Sequence, residues 1–268
     1  NIMIPGVEIL TPIRDLKLSR EQEIEYLKSK GVNMNFNKAV YSINKGLWGT
    51  SVGGKETLSS KGMLPEEAWP TQLAKNGSEE VTLGFEKGEL KKVNGRTFGH
   101  PTEAIQFLQS LAGPYAIGRD IHVGDTIIGI KGRVGFEAAA PMIILKAHHA
   151  LEKHVLTKWQ LSWKDQLSQF YGNWLHEGQI LDPVMRDIES FLEHSQQHVT
   201  GEVFVQLAPY RFAITGITSS YDLMSSRFGK YGEMNNGWSG EDVRGFSKIF
   251  GNQTMIYHQV KEEADGKN

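Results

Sequence analysis

Short runs in which apolar and polar residues alternate predict strands in two parts of the chain. The run Val81–Val93 alternates, turns at Lys87–Gly88 and returns, which is the pattern of an antiparallel hairpin. The stretch from Glu202 to Ile217 alternates in the same way and predicts a second pair of strands. The glycine-rich run from Asp125 to Phe136 predicts one strand with local breaks, because glycine in a strand marks a bulge or the close approach of another group.

Longer stretches with apolar residues every three or four positions predict helices. The first helix begins at Ser19, whose capping-box partner is Gln22, and it ends at Gly31. The other predicted helices run from Pro101 to Gly113, from Pro141 to Leu156, from Thr157 onward, from Asp182 to about Val199 and from Ser239 to Phe250. Because strands and helices come in clusters and do not alternate strictly, the pattern predicts an α+β fold, with a mixed or antiparallel sheet and several packed helices. We expect one domain over residues 1–252 and a partly disordered polar tail over residues 253–268.

Composition narrows the class of protein without naming a function. The 268 residues carry a net charge of −2 and include no cysteine. The small net charge gives no reason to expect nucleic acid or a membrane surface as a partner, and no apolar run reaches the ~18 residues that span a bilayer. The lack of cysteine excludes disulfides and thiolate catalysis, and it fits a cytoplasmic protein.

One glycine-rich segment invites comparison with a phosphate-binding loop. Residues Gly49–Lys55 read GTSVGGK, which is close to the motif GxxxxGK[ST]. The next residue is Glu56, where the motif needs a serine or threonine to hold magnesium, and no long apolar strand precedes the segment. We therefore favour a glycine-rich surface loop over a nucleotide site.

Four blocks of the chain match, in the same order, the motifs of one enzyme family. Tyr41–Ser51 reads YSINKGLWGTS, where the family typically reads YSIDENLWGRS. Ile117–Glu137 reads IGRDIHVGDTIIGIKGRVGFE and resembles the family's GRIDIVEN followed by GxKSRGxYE. Ala147–Glu152 (AHHALE) and Ser195–Gly201 (SQQHVTG) are similar to the family's AHxALE and SQEHVTG. In these blocks the chain resembles the carboxyl-terminal half of argininosuccinate synthase.

The resemblance implies a role in an ATP-dependent carbon–nitrogen ligase of arginine biosynthesis. In that reaction the ureido oxygen of citrulline attacks the α-phosphate of ATP, pyrophosphate leaves, and the amine of aspartate displaces AMP. The family binds ATP and magnesium, as co-substrate, through an amino-terminal nucleotide domain with the motif SGGxDxS, which does not occur in this chain. We therefore expect that domain to be missing and the chain to be inactive alone. Residues 1–252 should be a family-type synthetase domain that binds the citrulline end and builds a homotetramer. We expect no catalytic residue and no tightly bound cofactor here.

The resemblance also implies substrate contacts. Ser42 and Ser51 match residues that hold the citrulline head group, and short hydroxyls donate hydrogen bonds to a carboxylate without adding charge. Gly124 stands where the family has the glutamate that accepts the citrulline α-ammonium, and Phe136 stands where the family has tyrosine. Two ordinary turn serines are the alternative interpretation of the hydroxyls.

Loss of the glutamate leaves two hypotheses about the substrate. Asp125, one residue after Gly124, is the substitute acid that we expect if the substrate is free citrulline. The alternative is an N-acylated citrulline, whose acyl group Lys45 would meet if that group carried a carboxylate. A third possibility is a non-catalytic fragment that retains only the surface for oligomerisation.

Charged and aromatic residues near these blocks have competing interpretations. Lys131 and Arg133 share one face of their strand by alternation. They could bind a phosphate or carboxylate of the substrate, or they could form a charged strand face that pairs with Glu137. The same two interpretations apply to Arg119. The histidines His148, His149 and His154 with Glu152 suggest a metal only weakly, since zinc sites need three or more defined ligands. The large aromatics of the helix after Thr157 are expected to pack in a core or a subunit interface; they are Trp159, Trp163, Phe170 and Trp174.

Overall fold

Two antiparallel sheets and their helices make up the described part of the chain, which in this computed structural model covers residues 2–33, 41–126, 128–225, 229, 231–232 and 237–266. The helices of these ranges are α1 (Pro12–Leu16), α2 (Arg20–Ser29), α3 (Pro101–Ala112), α4 (Ala139–Val155), α5 (Lys158–His176), α6 (Pro183–Ser195), α7 (Gly240–Phe250) and α8 (Asn252–Ala264). The strands are β1 (Ser42–Gly46), β2 (Gly49–Gly53), β3 (Glu79–Glu86), β4 (Glu89–Val93), β5 (Arg96–Thr97), β6 (Arg119–Asp125), β7 (Lys131–Glu137), β8 (Gly201–Ala208) and β9 (Arg211–Thr218). The predicted α+β class is confirmed, and both sheets are antiparallel.

The chain divides into two compact units, and the predicted domain over residues 1–252 stays a prediction. Unit 1 comprises Asn1–Pro70 and Arg119–Glu137, and unit 2 comprises Thr71–Gly118 and Ala138–Asn268. Each unit has its own sheet and its own cluster of buried apolar side chains. The division follows from long-range pairing, because β6 and β7 join β2 across about eighty residues of intervening chain, a distance that local patterns do not encode.

The sheet of unit 1 has the strand order β1-β2-β7-β6. One of its faces covers a small core made of Val52, Leu64, Ala68 and Trp69, against which Ile121 packs. At Gly135 of β7 the packing leaves no room for a side chain, since an added Cβ would overlap Leu64 and lie 3.2 Å from the carbonyl oxygen of Val52.

The sheet of unit 2 has the order β5-β4-β3-β8-β9 and packs α3 and α4 against one face. Alternate residues of β3 and β8 point into the core, with Val81 paired to Val205 and Leu83 paired to Val203. The helices contribute side chains at helical spacing to the same cluster, including Leu108 of α3. Burial of this apolar surface is the main force that holds the unit together.

Several local predictions are confirmed, and one is wrong. Helix α2 has the predicted capping box, in which the Ser19 N–H donates to Gln22 at 2.8 Å and the Gln22 N–H donates back at 3.4 Å. The predicted single strand from Asp125 to Phe136 is wrong, since β6 ends at Asp125 and β7 starts at Lys131. In the tail that the sequence predicted to be partly disordered, α8 spans Asn252–Ala264, and residues 267–268 lie outside the described residues. Of the helices in the described ranges, none combines the length and apolar character that crossing a bilayer would require.

Candidate functional site

The two candidate serines lie on the hairpin formed by β1 and β2. The turn between the strands ends at Gly49, whose φ of 141° is one that residues with a side chain rarely adopt. In the register of the hairpin Ser42 pairs with Gly53, and Asn44 pairs with Ser51. The segment that resembled a phosphate loop is therefore largely strand, with a short 3₁₀ turn from Lys55 to Leu58.

Strand β7 joins this hairpin to β6 and completes a row of side chains across the sheet. Ser51 pairs with Phe136, and Phe136 pairs on its other side with Asp120. With the Asn44–Ser51 pair, this gives the row Asn44–Ser51–Phe136–Asp120, one residue from each strand. Directly paired residues of antiparallel strands project to the same face, so these four side chains share one face of the sheet.

Alternation along the strands fixes which other residues belong to that face. Ser42 lies two residues before Asn44, His122 two residues after Asp120, and Gly124 two residues after His122. We call this surface the serine face and define it by Ser42, Asn44, Ser51, Asp120, His122, Gly124, Gly132 and Phe136. Four of the six predicted site residues, Ser42, Ser51, Gly124 and Phe136, thus lie on one surface.

The serine face is open, with one aromatic ring at its centre. Ser42, Asp120 and His122 are exposed, and Ser51 and Phe136 are half-buried. The rings of His122 and Phe136 meet edge to face with their centroids 5.7 Å apart. Hydroxyl, amide and carboxylate groups therefore surround a flat apolar centre, an arrangement that suits a ligand with a polar head and an aliphatic chain.

Lys131 and Arg133 lie on the opposite face of the sheet. They share a face with each other, as predicted, but that face also carries Val52 and Ile121 of the small core. The Arg133 guanidinium donates to three backbone carbonyl oxygens of the loop after β2: that of Ser59, that of Glu56 at 3.4 Å and that of Gly62 at 2.8 Å.

This arrangement gives Arg133 a structural role in holding the loop. Lys131 forms an ion pair with Asp125 at the mouth of the hairpin. Neither cation faces Ser51, because the two sides of a strand alternate with each residue.

Arg119 is also turned toward the core of unit 1. Its side chain is only 7% exposed, and its guanidinium donates to both carboxylate oxygens of Glu66, at 2.8 and 2.9 Å. The same group lies 5.4 Å from the centre of the Trp69 ring. Both hydrogen bonds come from one nitrogen, Nη1, and the ion pair connects β6 to the 3₁₀ turn Glu66–Ala68.

Two residues expected to act near Gly124 are on the wrong face for it. Asp125 follows Gly124 directly and therefore projects to the other side, where it binds Lys131. Lys45 pairs with Thr50 and also lies opposite Ser42 and Ser51. The register therefore disfavours Asp125 as the substitute acid and Lys45 as the partner of an acyl carboxylate, because Asp125 differs from Gly124, and Lys45 from Ser42, by an odd number of positions along the strand.

Four residues of the serine face were not site candidates in the sequence: Asn44, Asp120, His122 and Gly132. Alternation along β6 could have identified two of them. Asp120 and His122 each differ from Gly124 by an even number of residues, so all three lie on the same face of the strand. That signal needs the boundaries of β6, and the glycine-rich pattern gave the wrong boundaries.

In unit 2, the histidine and carboxylate cluster surrounds a lysine. His149, Glu152 and Asp165 bring possible ligand atoms within 4.8 Å of one another. The Lys164 ammonium lies among them, 2.5 Å from Glu152 and 2.8 Å from Asp165. Burial alone would lower the pKa of Lys164, but its hydrogen bonds to Asp165 and Glu152 outweigh that effect and raise it. This ammonium supplies the positive charge that the carboxylates need, so the cluster makes a buried ion pair and not a site that we assign to a metal.

The aromatic side chains of α5 do not enter the core of the described chain. Trp159 and Trp163 are 68% and 57% exposed, and no residue of α5 is fully buried. Phe170 and Trp174 stack on each other with ring centroids 5.0 Å apart. A packing role within this chain is therefore not seen for the two leading tryptophans, and their other predicted role, at an interface between subunits, stays a prediction.

Comparison with known proteins gives the same family that the sequence motifs suggested. The arginosuccinate synthase C-terminal domain matches residues 41–257, which include every strand of both sheets. An argininosuccinate synthase of Methanocaldococcus jannaschii is 34% identical over 264 residues, covering 97% of this chain and 66% of the relative. One from Dictyoglomus turgidum is 34% identical over 257 residues, covering 95% of this chain and 64% of the relative.

A third relative agrees with these two. The argininosuccinate synthase of Xanthomonas campestris is 32% identical over 265 residues, covering 94% of this chain and 65% of the relative. The chain thus spans slightly less than two thirds of the length of these relatives. On the strength of the match over residues 41–257, the chain belongs to the argininosuccinate synthase family and contains its carboxyl-terminal domain.

Proposed function

We propose that this chain is the citrulline-binding part of an ATP-dependent ligase that joins citrulline and aspartate into argininosuccinate. The proposal takes its reaction from the names of the relatives and its site from the serine face. ATP and aspartate are co-substrates of the whole enzyme in this proposal. The contribution of this chain is to hold and orient citrulline, since positioning of reacting groups lowers a barrier without covalent chemistry by the protein.

The observation that carries the proposal is the shared face of Ser42, Ser51 and Phe136. Both hydroxyls belong to one hairpin, and the register of β1, β2 and β7 turns them to the side of the Phe136 ring. In the proposed complex the hydroxyls donate hydrogen bonds to the citrulline carboxylate, and the aliphatic chain lies on the ring. Hydrogen bonds to an ionised partner contribute roughly 1.5–3 kcal/mol each, enough for two of them to fix the orientation of the ligand.

The test uses the polypeptide as its gene encodes it. AMP release is measured with ATP, citrulline and aspartate, and with each omitted in turn. Ser51→Ala should raise the KM for citrulline about 10-fold or more, whereas Ser60→Ala, an exposed loop serine of the same unit, should not change it. Absence of any citrulline-dependent AMP release from the wild-type polypeptide would contradict the proposal and favour a non-catalytic, oligomerising protein.

An N-acylated citrulline is the second candidate substrate, favoured by one feature of the serine face. Gly124 and Gly132 are directly paired, and a Cβ added at either would meet no atom within 4 Å. This bare patch leaves space for an acyl group on the substrate amine. Turnover of N-acetylcitrulline in preference to citrulline, measured by the same AMP assay, would decide for this candidate; preference for citrulline would remove it.

We also propose that the protein forms a homo-oligomer in which the exposed aromatic residues of α5 are covered by another copy. Trp159 and Trp163 expose large apolar surfaces, and tryptophan is enriched in the centres of protein interfaces. Trp163→Glu should lower the mass measured by analytical ultracentrifugation, while Gln169→Glu, on another side of α5, should leave it unchanged. An unchanged mass in the Trp163 variant would contradict this assignment of the interface.

A further inference from the structure

Asp120 is the acidic residue of the serine face, and no basic side chain of the described chain pairs with it. Among the residues of β1, β2, β6 and β7, all of which the structure describes, the acidic ones are Asp120, Asp125 and Glu137. Asp125 and Glu137 project to the opposite face, because each differs from Asp120 or Phe136 by an odd number of positions. Asp120 therefore brings negative charge to an exposed surface that otherwise offers neutral hydroxyl and amide groups and one histidine.

The lysines and arginines of the sheet are turned away from this carboxylate. Lys45, Arg119, Lys131 and Arg133 all lie on the core side of their strands. No lysine, arginine or histidine of the described ranges forms an ion pair with Asp120. One oxygen of the Asp120 carboxylate accepts the backbone N–H of Ile121 at 2.7 Å, which holds the group against the strand. An exposed carboxylate held in place without a cation is suited to accept a cation from a ligand.

The distance from Asp120 to Ser51 fits the head group of an α-amino acid. The two residues stand on either side of Phe136 in one row of the sheet. Neighbouring strands are about 4.8 Å apart, so the two Cα atoms are separated by about 10 Å. Both residues belong to the serine face, and a separation of this size admits two hydrogen bonds of about 2.8 Å each together with one small head group. A carboxylate bound at Ser51 would therefore put the adjacent α-ammonium over the Phe136 ring and next to Asp120.

We propose that Asp120 accepts the α-ammonium of the substrate and thereby selects citrulline with a free amine. This inference rests on the proposed function, because it needs the serine face to bind an amino acid. It assigns to Asp120 a role that the sequence pattern had given to Asp125, and it opposes the acylated substrate, whose amide nitrogen carries no charge for Asp120 to bind.

The experiment compares Asp120→Asn with Asp125→Asn in the full polypeptide. Both are exposed aspartates of β6 and both substitutions remove one charge, but they lie on opposite faces. Asp120→Asn should raise the KM for citrulline about 10- to 100-fold, as loss of a charge-assisted hydrogen bond does, with little change in kcat. Asp125→Asn should change the KM less than about 2-fold. Thermal unfolding of each variant is measured first, and Asp120→Glu serves as a second variant that keeps the charge and should keep most of the affinity.

A ligand without the amine separates recognition of the ammonium from a general structural effect. 5-Ureidopentanoate is citrulline without its α-amino group, and its inhibition constant should be the same for wild type and Asp120→Asn. Equal weakening of citrulline and of this analogue would overturn the proposal, as would an unchanged KM in Asp120→Asn when the wild type is active. A wild type that turns over no citrulline would instead overturn the proposed function and this inference together.

Discussion

The buried ion pair of Glu152 and Lys164 allows a quantitative test of what holds unit 2 together. Glu152 on α4 is 0% exposed and accepts hydrogen bonds from Lys164 at 2.5 Å and from Gln196 at 2.9 Å. Lys164 on α5 also binds Asp165 at 2.8 Å. The pair therefore joins α4, α5 and the turn after α6. The perturbation is a double-mutant cycle made of Glu152→Gln, Lys164→Met and the double variant.

The expected magnitudes follow from what each change leaves behind. Lys164→Met leaves the fully buried Glu152 carboxylate with Gln196 and histidine as donors, and an uncompensated buried charge costs about 3–4 kcal/mol of unfolding free energy. Glu152→Gln should cost less, about 2–3 kcal/mol, because the ammonium keeps Asp165 and is partly hydrated. The double variant leaves no unpaired charge at either position. We expect it to lose about 3–4 kcal/mol in total, so that the coupling between the two sites is about 2–3 kcal/mol.

The assay is urea unfolding of the chain at pH 7.5, followed by tryptophan fluorescence and by circular dichroism. An exposed pair gives the matched control: Lys75 and Glu79 lie 2.7 Å apart with side chains 40% and 34% exposed. Their cycle should give a coupling below about 1 kcal/mol, because solvent screens exposed pairs. Losses that add to within about 0.5 kcal/mol in the buried cycle would refute the reasoning, since they would mean that the charges of Glu152 and Lys164 do not depend on each other.

Further predictions concern single residues of both units. Gly135→Ala should cost about 1–3 kcal/mol of unfolding free energy in urea, because an added methyl overlaps packed atoms, whereas Gly132→Ala, with open space, should stay within about 0.5 kcal/mol. Burial of the ring lowers the pKa of His148, so the unfolded chain binds the proton more tightly than the folded chain does. The free energy of unfolding should therefore fall as the pH drops below about 6.5. In urea titrations at several pH values, His148→Gln should make the free energy of unfolding less dependent on pH. Arg133→Met should expose its loop to limited proteolysis, and Lys131→Met should not; equal cleavage of both variants would contradict the structural role of the guanidinium.

The elements that the sequence predicted well are those whose signals are local. The β3–β4 hairpin turns at Lys87 and Gly88, which have φ of 50° and 82°, and glycine is the residue that adopts such angles without strain. The start of α2 at Ser19 rests on hydrogen bonds between residues three positions apart. In both cases the residues that give the signal also make the contact, so no knowledge of the rest of the fold was needed.

The prediction was wrong where the decisive contacts join distant parts of the chain. The glycines between Asp125 and Phe136 indicated a broken strand, but the break is a complete turn because residues 131–137 pair back on β6 and, on their other edge, with β2. The exposure of the tryptophans of α5 has the same origin: helical spacing predicts one apolar face, but it does not say whether that face meets the same chain or another one.

For the site, the family motifs identified the strands and the register determined the faces. The motifs brought Ser42, Ser51, Gly124 and Phe136 into consideration, and the structure gives these four a common side of the sheet. Lys131 lies on β7 together with Phe136, and the motifs alone could not show that the two side chains point to opposite faces. A sequence motif carries no information about side-chain direction. What the motifs lack is whether two residues lie on the same face of the sheet, and the pairing between strands supplies that information.

Segregation of charge between the two faces restricts the acyl substrates that remain possible. A dicarboxylic acyl group would bring a second carboxylate to the serine face, where Asp120 is already negative and Lys45 is turned away. Like charges at close range disfavour each other, and no lysine or arginine of β1, β2, β6 or β7 lies on that face. A neutral acyl group meets no such repulsion at the bare Gly124–Gly132 pair. The face therefore disfavours a citrulline whose acyl group ends in a carboxylate, and the role proposed for Asp120 also opposes a neutral acyl group, because acylation removes the positive charge of the amine.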